Sequence, residues 1–102
     1  MNTKTKEALR IIGHLLETNG TIGALAKARP EVEVNYYDKR ACKFCLAGAT
    51  YLVGDRIYGL GQYSSKLSLE VKSYLKTGNL VAAWDDATDN GRKKIIQKLK
   101  NA

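Results

Sequence analysis

The chain has 102 residues, 44% of them apolar and only one a proline, so it can bury one core without staples and is too apolar to stay disordered. Its net charge of +7 favours encounters with nucleic acid, an anionic membrane or an acidic protein. No apolar run approaches the ~20 residues of a membrane-spanning helix, and the opening MNTKTKEALRIIGHLLE has no secretory-signal pattern.

In chain order, Asn2 or Thr3 opens a first helix whose Ala8, Ile11, Ile12, Leu15 and Leu16 recur at helical spacing. Gly20 is suited to close it in the left-handed conformation. Residues 22–29 read as a short helical segment stopped by Pro30, which disfavours helix in the residue before it. EVEVNYY alternates Val32, Val34 and Tyr36 with polar neighbours, the period of a strand. No partner strand is evident, so residues 32–36 are expected as an extended connector. Asp38 suits the N-cap of a central helix over residues 38–53, with Gly54 as its stop.

GDRIYGLGQYSS follows as a glycine-rich loop. Ser64 or Ser65 can cap a helix over residues 66–77, with Leu67, Val71, Tyr74 and Leu75 inward and Gly78 at its end. NLVAAWDD is a helical turn or a packed loop. Thr88 or Asp89 caps a last helix over residues 90–100, with Ile95, Ile96 and Leu99 on its apolar side. The sum is an all-α fold: one domain over residues 1–102, a compact bundle of about four main helices with short connections. With two cysteines and no export signal, the expected setting is cytoplasmic and reducing, without membrane insertion.

Cys42 and Cys45 form a Cys-x-x-Cys pair. Zinc needs four ligands, and no second Cys or His pair is present to complete such a site. A redox dithiol needs the pair at a helix N-terminus after a strand. Winding residues 39–53 as a helix instead puts Cys42, Cys45, Leu46, Ala49, Leu52 and Val53 on one stripe, so both thiols are expected in the core as small hydrophobes. No metal and no cofactor is expected.

Charge is uneven: residues 61–102 hold eight Lys/Arg against four acids. Arg92, Lys93, Lys94 and Lys98 on the last helix are one candidate binding surface, with a solvated helix face as the alternative. Arg56, Tyr58, Tyr63 and Lys66 are a second, because basic groups among aromatics suit single-stranded nucleic acid. GLGQYSS lacks the pattern of a phosphate loop. Asp85 and Asp86 are either an acid/base or metal pair or helix caps, and Trp84 is expected to anchor their segment to the core.

At ACKFCLAGA, followed by AAWDDATDNGRKKIIQKLKNA, the chain resembles a family of small bacterial and phage proteins classed only as a domain of unknown function. The family's middle motif is A-x-x-(aromatic)-C-x-x-G-A, matched here by Ala41, Phe44, Cys45, Gly48 and Ala49. Its later W-N-D motif is matched by Trp84 and Asp86, with Asp85 standing where the family usually has Asn. Cys42 has no counterpart. The resemblance implies that Cys45, Gly48, Ala49, Trp84 and Asp86 are structural positions, and it implies no activity.

Three readings of function follow. The first is a non-enzymatic basic protein that contacts a protein partner, of the phage- or mobile-element type that inhibits a host nucleic-acid-handling complex in defence. The second is direct nucleic-acid binding. The third is a small-ligand binder or enzyme that uses Trp84, Asp85 and Asp86 and requires a concave pocket beside Trp84.

Overall fold

The computed structural model describes residues 1–59 and 64–102. Among the described residues five helices and a small antiparallel sheet follow in the order α1 (Thr3–Asn19), β1 (Ala26–Ala28), β2 (Val32–Val34), β3 (Lys43–Phe44), α2 (Leu46–Tyr58), α3 (Ser64–Leu75), α4 (Leu80–Asp85) and α5 (Asp89–Lys100). The all-α expectation is therefore corrected to a mostly helical fold with a three-stranded sheet of order β2-β1-β3.

α1 starts where the Asn2 side chain accepts from the Thr5 N–H at 2.8 Å, satisfying one of the orphan donors of a helix start. Ala8, Leu9, Ile12 and Leu16 are buried, whereas Ile11 is exposed; the core stripe is rotated toward Leu9. Gly20 ends the helix in extended backbone, φ −76°, and not in the left-handed region. A side chain is excluded there for another reason: a Cβ would lie 2.7 Å from the Leu16 carbonyl oxygen and 3.3 Å from the Trp84 ring.

No helix forms over residues 22–29. Gly23 turns the chain at φ 84°, and Ala26–Ala28 becomes the central strand, with Ala26 and Ala28 buried and Lys27 between them. Val32–Val34, expected to be unpaired, lies antiparallel to it with Ala26 opposite Val34 and Ala28 opposite Val32. β3 pairs on the other side, Ala26 opposite Phe44 and Lys27 opposite Lys43. Glu31, in the turn between β1 and β2, reaches Lys43 at 2.7 Å and Lys27 at 3.6 Å.

The central helix begins seven residues later than expected, with its N-cap at Cys45 in place of Asp38, and runs from Leu46 past Gly54 to Tyr58. Its N-cap is Cys45, whose sulfur accepts from the Gly48 N–H at 3.4 Å. Every residue from Phe44 to Thr50 is buried, so this turn has no polar face and no helical stripe to read. The Thr50 hydroxyl is satisfied within the helix, donating to the Leu46 carbonyl at 2.8 Å. Gly48 lies against β1's approach: a Cβ on it would run into the Leu25 carbonyl.

α3 buries Leu67 and Val71 and ends in a Schellman turn. The Thr77 N–H bonds the Lys72 carbonyl at 3.0 Å and the Lys76 N–H bonds the Ser73 carbonyl at 3.3 Å. The left-handed residue of that turn is Lys76, φ 56°, and not Gly78. α4 is capped by Asn79, which accepts from Ala82 at 3.1 Å, and α5 by Thr88, which accepts from Gly91 at 3.0 Å. α5 closes over α1 at Gly13, where an added Cβ would meet Lys100 Cγ at 2.9 Å and Leu99 Cβ at 3.0 Å. One hydrophobic cluster joins α1, the sheet, α2, α3, Trp84 of α4 and Leu99 of α5. No described helix is long and apolar enough to cross a membrane.

Candidate functional site

α5 divides its residues by face. Arg92, Ile95, Ile96 and Leu99 are half-buried or buried, whereas Asn90, Lys93, Lys94, Gln97, Lys98 and Asn101 are all exposed. The split follows the 3.6-residue period: the apolar side chains pack on α1, and the opposite side carries three lysines and three amides with no acid among them. Asp89, the acid of the first turn, is held by Arg92 at 2.6 Å. The basic last turn also complements the negative end of the helix dipole.

The four cations expected on this helix therefore separate. The Arg92 guanidinium turns inward, donating to the Trp84 carbonyl at 3.0 Å, to the Ala87 carbonyl and to Asp89, which pins α4 to α5. Lys93, Lys94 and Lys98 remain outward. Lys98 is positioned by Tyr74 of α3, whose hydroxyl donates to the Lys98 carbonyl at 2.7 Å while the Lys98 ammonium lies 5.5 Å from the ring centroid, a cation–π distance. Lys100, not among the expected site residues, pairs with Glu17 of α1 at 2.7 Å; that bond holds the Glu17 carboxyl below its ordinary pKa.

The second expected surface is less complete. Arg56 and Lys66 are exposed on α2 and α3, whereas Tyr63 and the side chain of Tyr58 lie outside the described residues, as do Leu60, Gly61 and Gln62 of the glycine-rich loop. A different aromatic group gathers close by. Tyr36 touches Tyr37 edge-to-face at 5.2 Å and Tyr51 of α2 at 5.6 Å, and its hydroxyl donates to Asp55 at 2.8 Å. Burial first, then that bond and the Asp55 charge, push the Tyr36 pKa up to about 12. Tyr36 is legible in the sequence only as part of a strand period; its meeting with α2 is a product of the fold.

The two cysteines do not share a helix stripe. Cys42 is half-buried before β3, its thiol donating to the Lys27 carbonyl at 3.6 Å. Cys45 is buried as the α2 cap. The chain between them is extended through β3, which places their Cα atoms about 10 Å apart, beyond the ~7 Å that a disulfide spans. Cys45 does stand at a helix start after a strand, yet burial raises its thiol pKa, against the lowering effect of the Gly48 N–H. A low-pKa thiolate is the opposite condition.

Beside Trp84 a groove of about 580 Å³ opens between α1, α5 and the sheet, with Leu16, Thr21, Lys27, Trp84 and Ile96 in its lining. Trp84 is itself packed, 3% exposed, with its indole N–H donated to the Thr21 carbonyl at 2.7 Å. Asp86 caps α4 at its C-terminal end and Asp85 leaves one buried carboxylate oxygen, Oδ1, without a hydrogen-bond partner; neither caps α5. Among the described residues no three His, Cys, Asp or Glu side chains gather as a metal site would require. Comparison with protein-family models, with curated proteins and with solved structures finds no match.

Proposed function

We propose that the protein binds nucleic acid without catalysing a reaction on it, and that the outer face of α5 meets the phosphate backbone. The observation that carries this reading is the composition of that face: Lys93, Lys94 and Lys98 exposed beside Asn90, Gln97 and Asn101, with no carboxylate among them. Lysines neutralise phosphates and release counterions, while amide side chains donate to phosphate and sugar oxygens. The inward Arg92 and the Tyr74 contact to Lys98 support it by fixing the helix and one of its cations.

The test is fluorescence anisotropy with duplex DNA across a salt series. Each phosphate contact contributes close to one unit to the slope of log K against log salt. Substituting Lys93→Gln, Lys94→Gln and Lys98→Gln together is expected to make that slope shallower by about three units and to weaken binding at low salt. An unchanged slope, or no salt-dependent binding by the wild type, overturns the reading.

A protein partner is the second reading. The exposed apolar side chains of Ile22 and Leu25 before β1 and of Val32 on β2 favour it. Capture from lysate with and without nuclease separates the two: contacts bridged by nucleic acid are lost with nuclease, and a direct protein contact survives.

A further inference from the structure

We infer that Tyr37 is a stacking platform for an unpaired nucleobase, giving the protein a site for single-stranded nucleic acid in addition to the lysine face of α5. The inference rests on the nucleic-acid reading and adds a substrate form to it. Tyr37 is 62% exposed, second only to Leu69 at 65% among the large hydrophobic side chains of the described residues and the one aromatic ring in that group. An exposed aromatic ring offers a face on which a base can stack.

The ring is also held in place. Tyr36 packs edge-to-face with Tyr37 at 5.2 Å and an interplanar angle of 85°, and Tyr36 is itself fixed by Tyr51 at 5.6 Å and by its 2.8 Å bond to Asp55. The turn that carries Tyr37 is closed by the Asp38 N–H on the Asn35 carbonyl at 3.0 Å. Asp38 then grips Arg40 through its backbone N–H at 2.8 Å and its guanidinium at 2.9 Å. A ring fixed beforehand loses little conformational freedom when a base stacks on it.

Basic residues stand close to the ring in the chain and against its neighbour. Lys39 and Arg40 come two and three positions after Tyr37, beyond Asp38, and Arg56 follows Asp55, the partner of Tyr36, on α2; all three are exposed. Asp38 is paired with Arg40, so those two residues add no net charge, and Asp55 accepts from the Tyr36 hydroxyl, which leaves Lys39 and Arg56 as the cations of the site. An aromatic face with basic groups around it matches the chemistry of single strands, whose bases stack while their phosphates are neutralised. A duplex keeps its bases stacked on each other and offers none to Tyr37. Stacking reads the base and not the sugar, so DNA and RNA single strands are both expected to bind.

The experiment uses the full chain and labelled oligo(dT) and oligo(U) of about 20 nucleotides, longer than the ~4–16-nucleotide sites of typical single-strand modules, beside a duplex of the same length. Tyr37→Ala is expected to lose about tenfold in affinity for the single strands and to keep the duplex affinity, while Tyr37→Phe retains both. Circular dichroism checks that the variants fold, as an exposed position allows. Single-strand binding by Tyr37→Ala equal to wild type overturns the platform and leaves α5 standing. Equal losses on single strands and duplex also overturn the platform. A wild type that binds neither form overturns the platform and the α5 reading together.

Discussion

Lys76 holds a backbone conformation that costs a side-chain-bearing residue about 1 kcal/mol or more, because the Schellman turn ending α3 needs a left-handed residue at that position. Lys76→Gly relieves the Cβ conflict while keeping both closing hydrogen bonds. Stabilisation of about 1 kcal/mol is expected, a rise of several degrees in Tm for a chain of this size, read by thermal circular dichroism. The cysteines differ residue by residue in the same local way. Buried Cys45, with its raised pKa, is expected to react with a thiol reagent only on unfolding, whereas half-buried Cys42 labels in the native protein. Mass spectrometry after brief labelling distinguishes one adduct from two, and a native adduct at Cys45 would contradict the burial.

α2 owes its seat to Gly48, which faces the Leu25 carbonyl with no room for a Cβ. Gly48→Ala is expected to push the helix off β1 and cost about 3 kcal/mol by overpacking against a backbone that cannot rotate away; urea unfolding measures it. Elements like α2 are where the sequence misleads. Its buried turn from Phe44 to Thr50 has no stripe, and its cap is a cysteine in place of the usual Ser, Thr, Asp or Asn, so Asp38 drew the helix start too early. The sheet was hidden for a related reason. Ala26–Ala28 and Lys43–Phe44 are too short to show a period, and pairing creates them more than propensity does. α1 and α5 were legible because each has one apolar side and a side-chain cap, Asn2 or Thr88. The lysines of α5 were visible from composition, yet which of them face outward depended on the inward hydrogen bonds of Arg92. The Tyr36–Tyr51 contact joins two elements and leaves no trace in local sequence.

Across the whole molecule, titration should narrow stability from both ends. Lys100, Lys43 and Arg40 lower the pKa values of Glu17, Glu31 and Asp38, respectively. A depressed carboxylate pKa stabilises the fold above the unfolded value and that contribution fades as pH falls through the folded one. Each pair has at least one exposed partner, so their effect is modest and screened by salt. Tyr36 has the opposite sign. Its raised pKa, about 12 against 10.0, stabilises the fold below pH 10 and the contribution is lost as pH rises toward 12. Tyr36→Phe cannot lose it, so the Tm difference between wild type and Tyr36→Phe is expected to shift in favour of the variant across that interval. A constant difference would place the Tyr36 hydroxyl in solvent.

α1 and α5 are partners in space and strangers in time. The Arg10 guanidinium donates to the Ala102 carbonyl at 2.7 Å across 92 positions of chain, and Lys100 reaches Glu17 across 83. At typical synthesis rates of about 5–20 residues per second, roughly 4 to 17 seconds separate the making of these two surfaces on a ribosome. Late in that interval, once the sheet and α2 have been made, Ala8, Leu9 and Ile12 can pack against them, but the seam at Gly13 stays open to solvent and to any chaperone. Closure of that seam therefore waits for the same helix that presents the lysines.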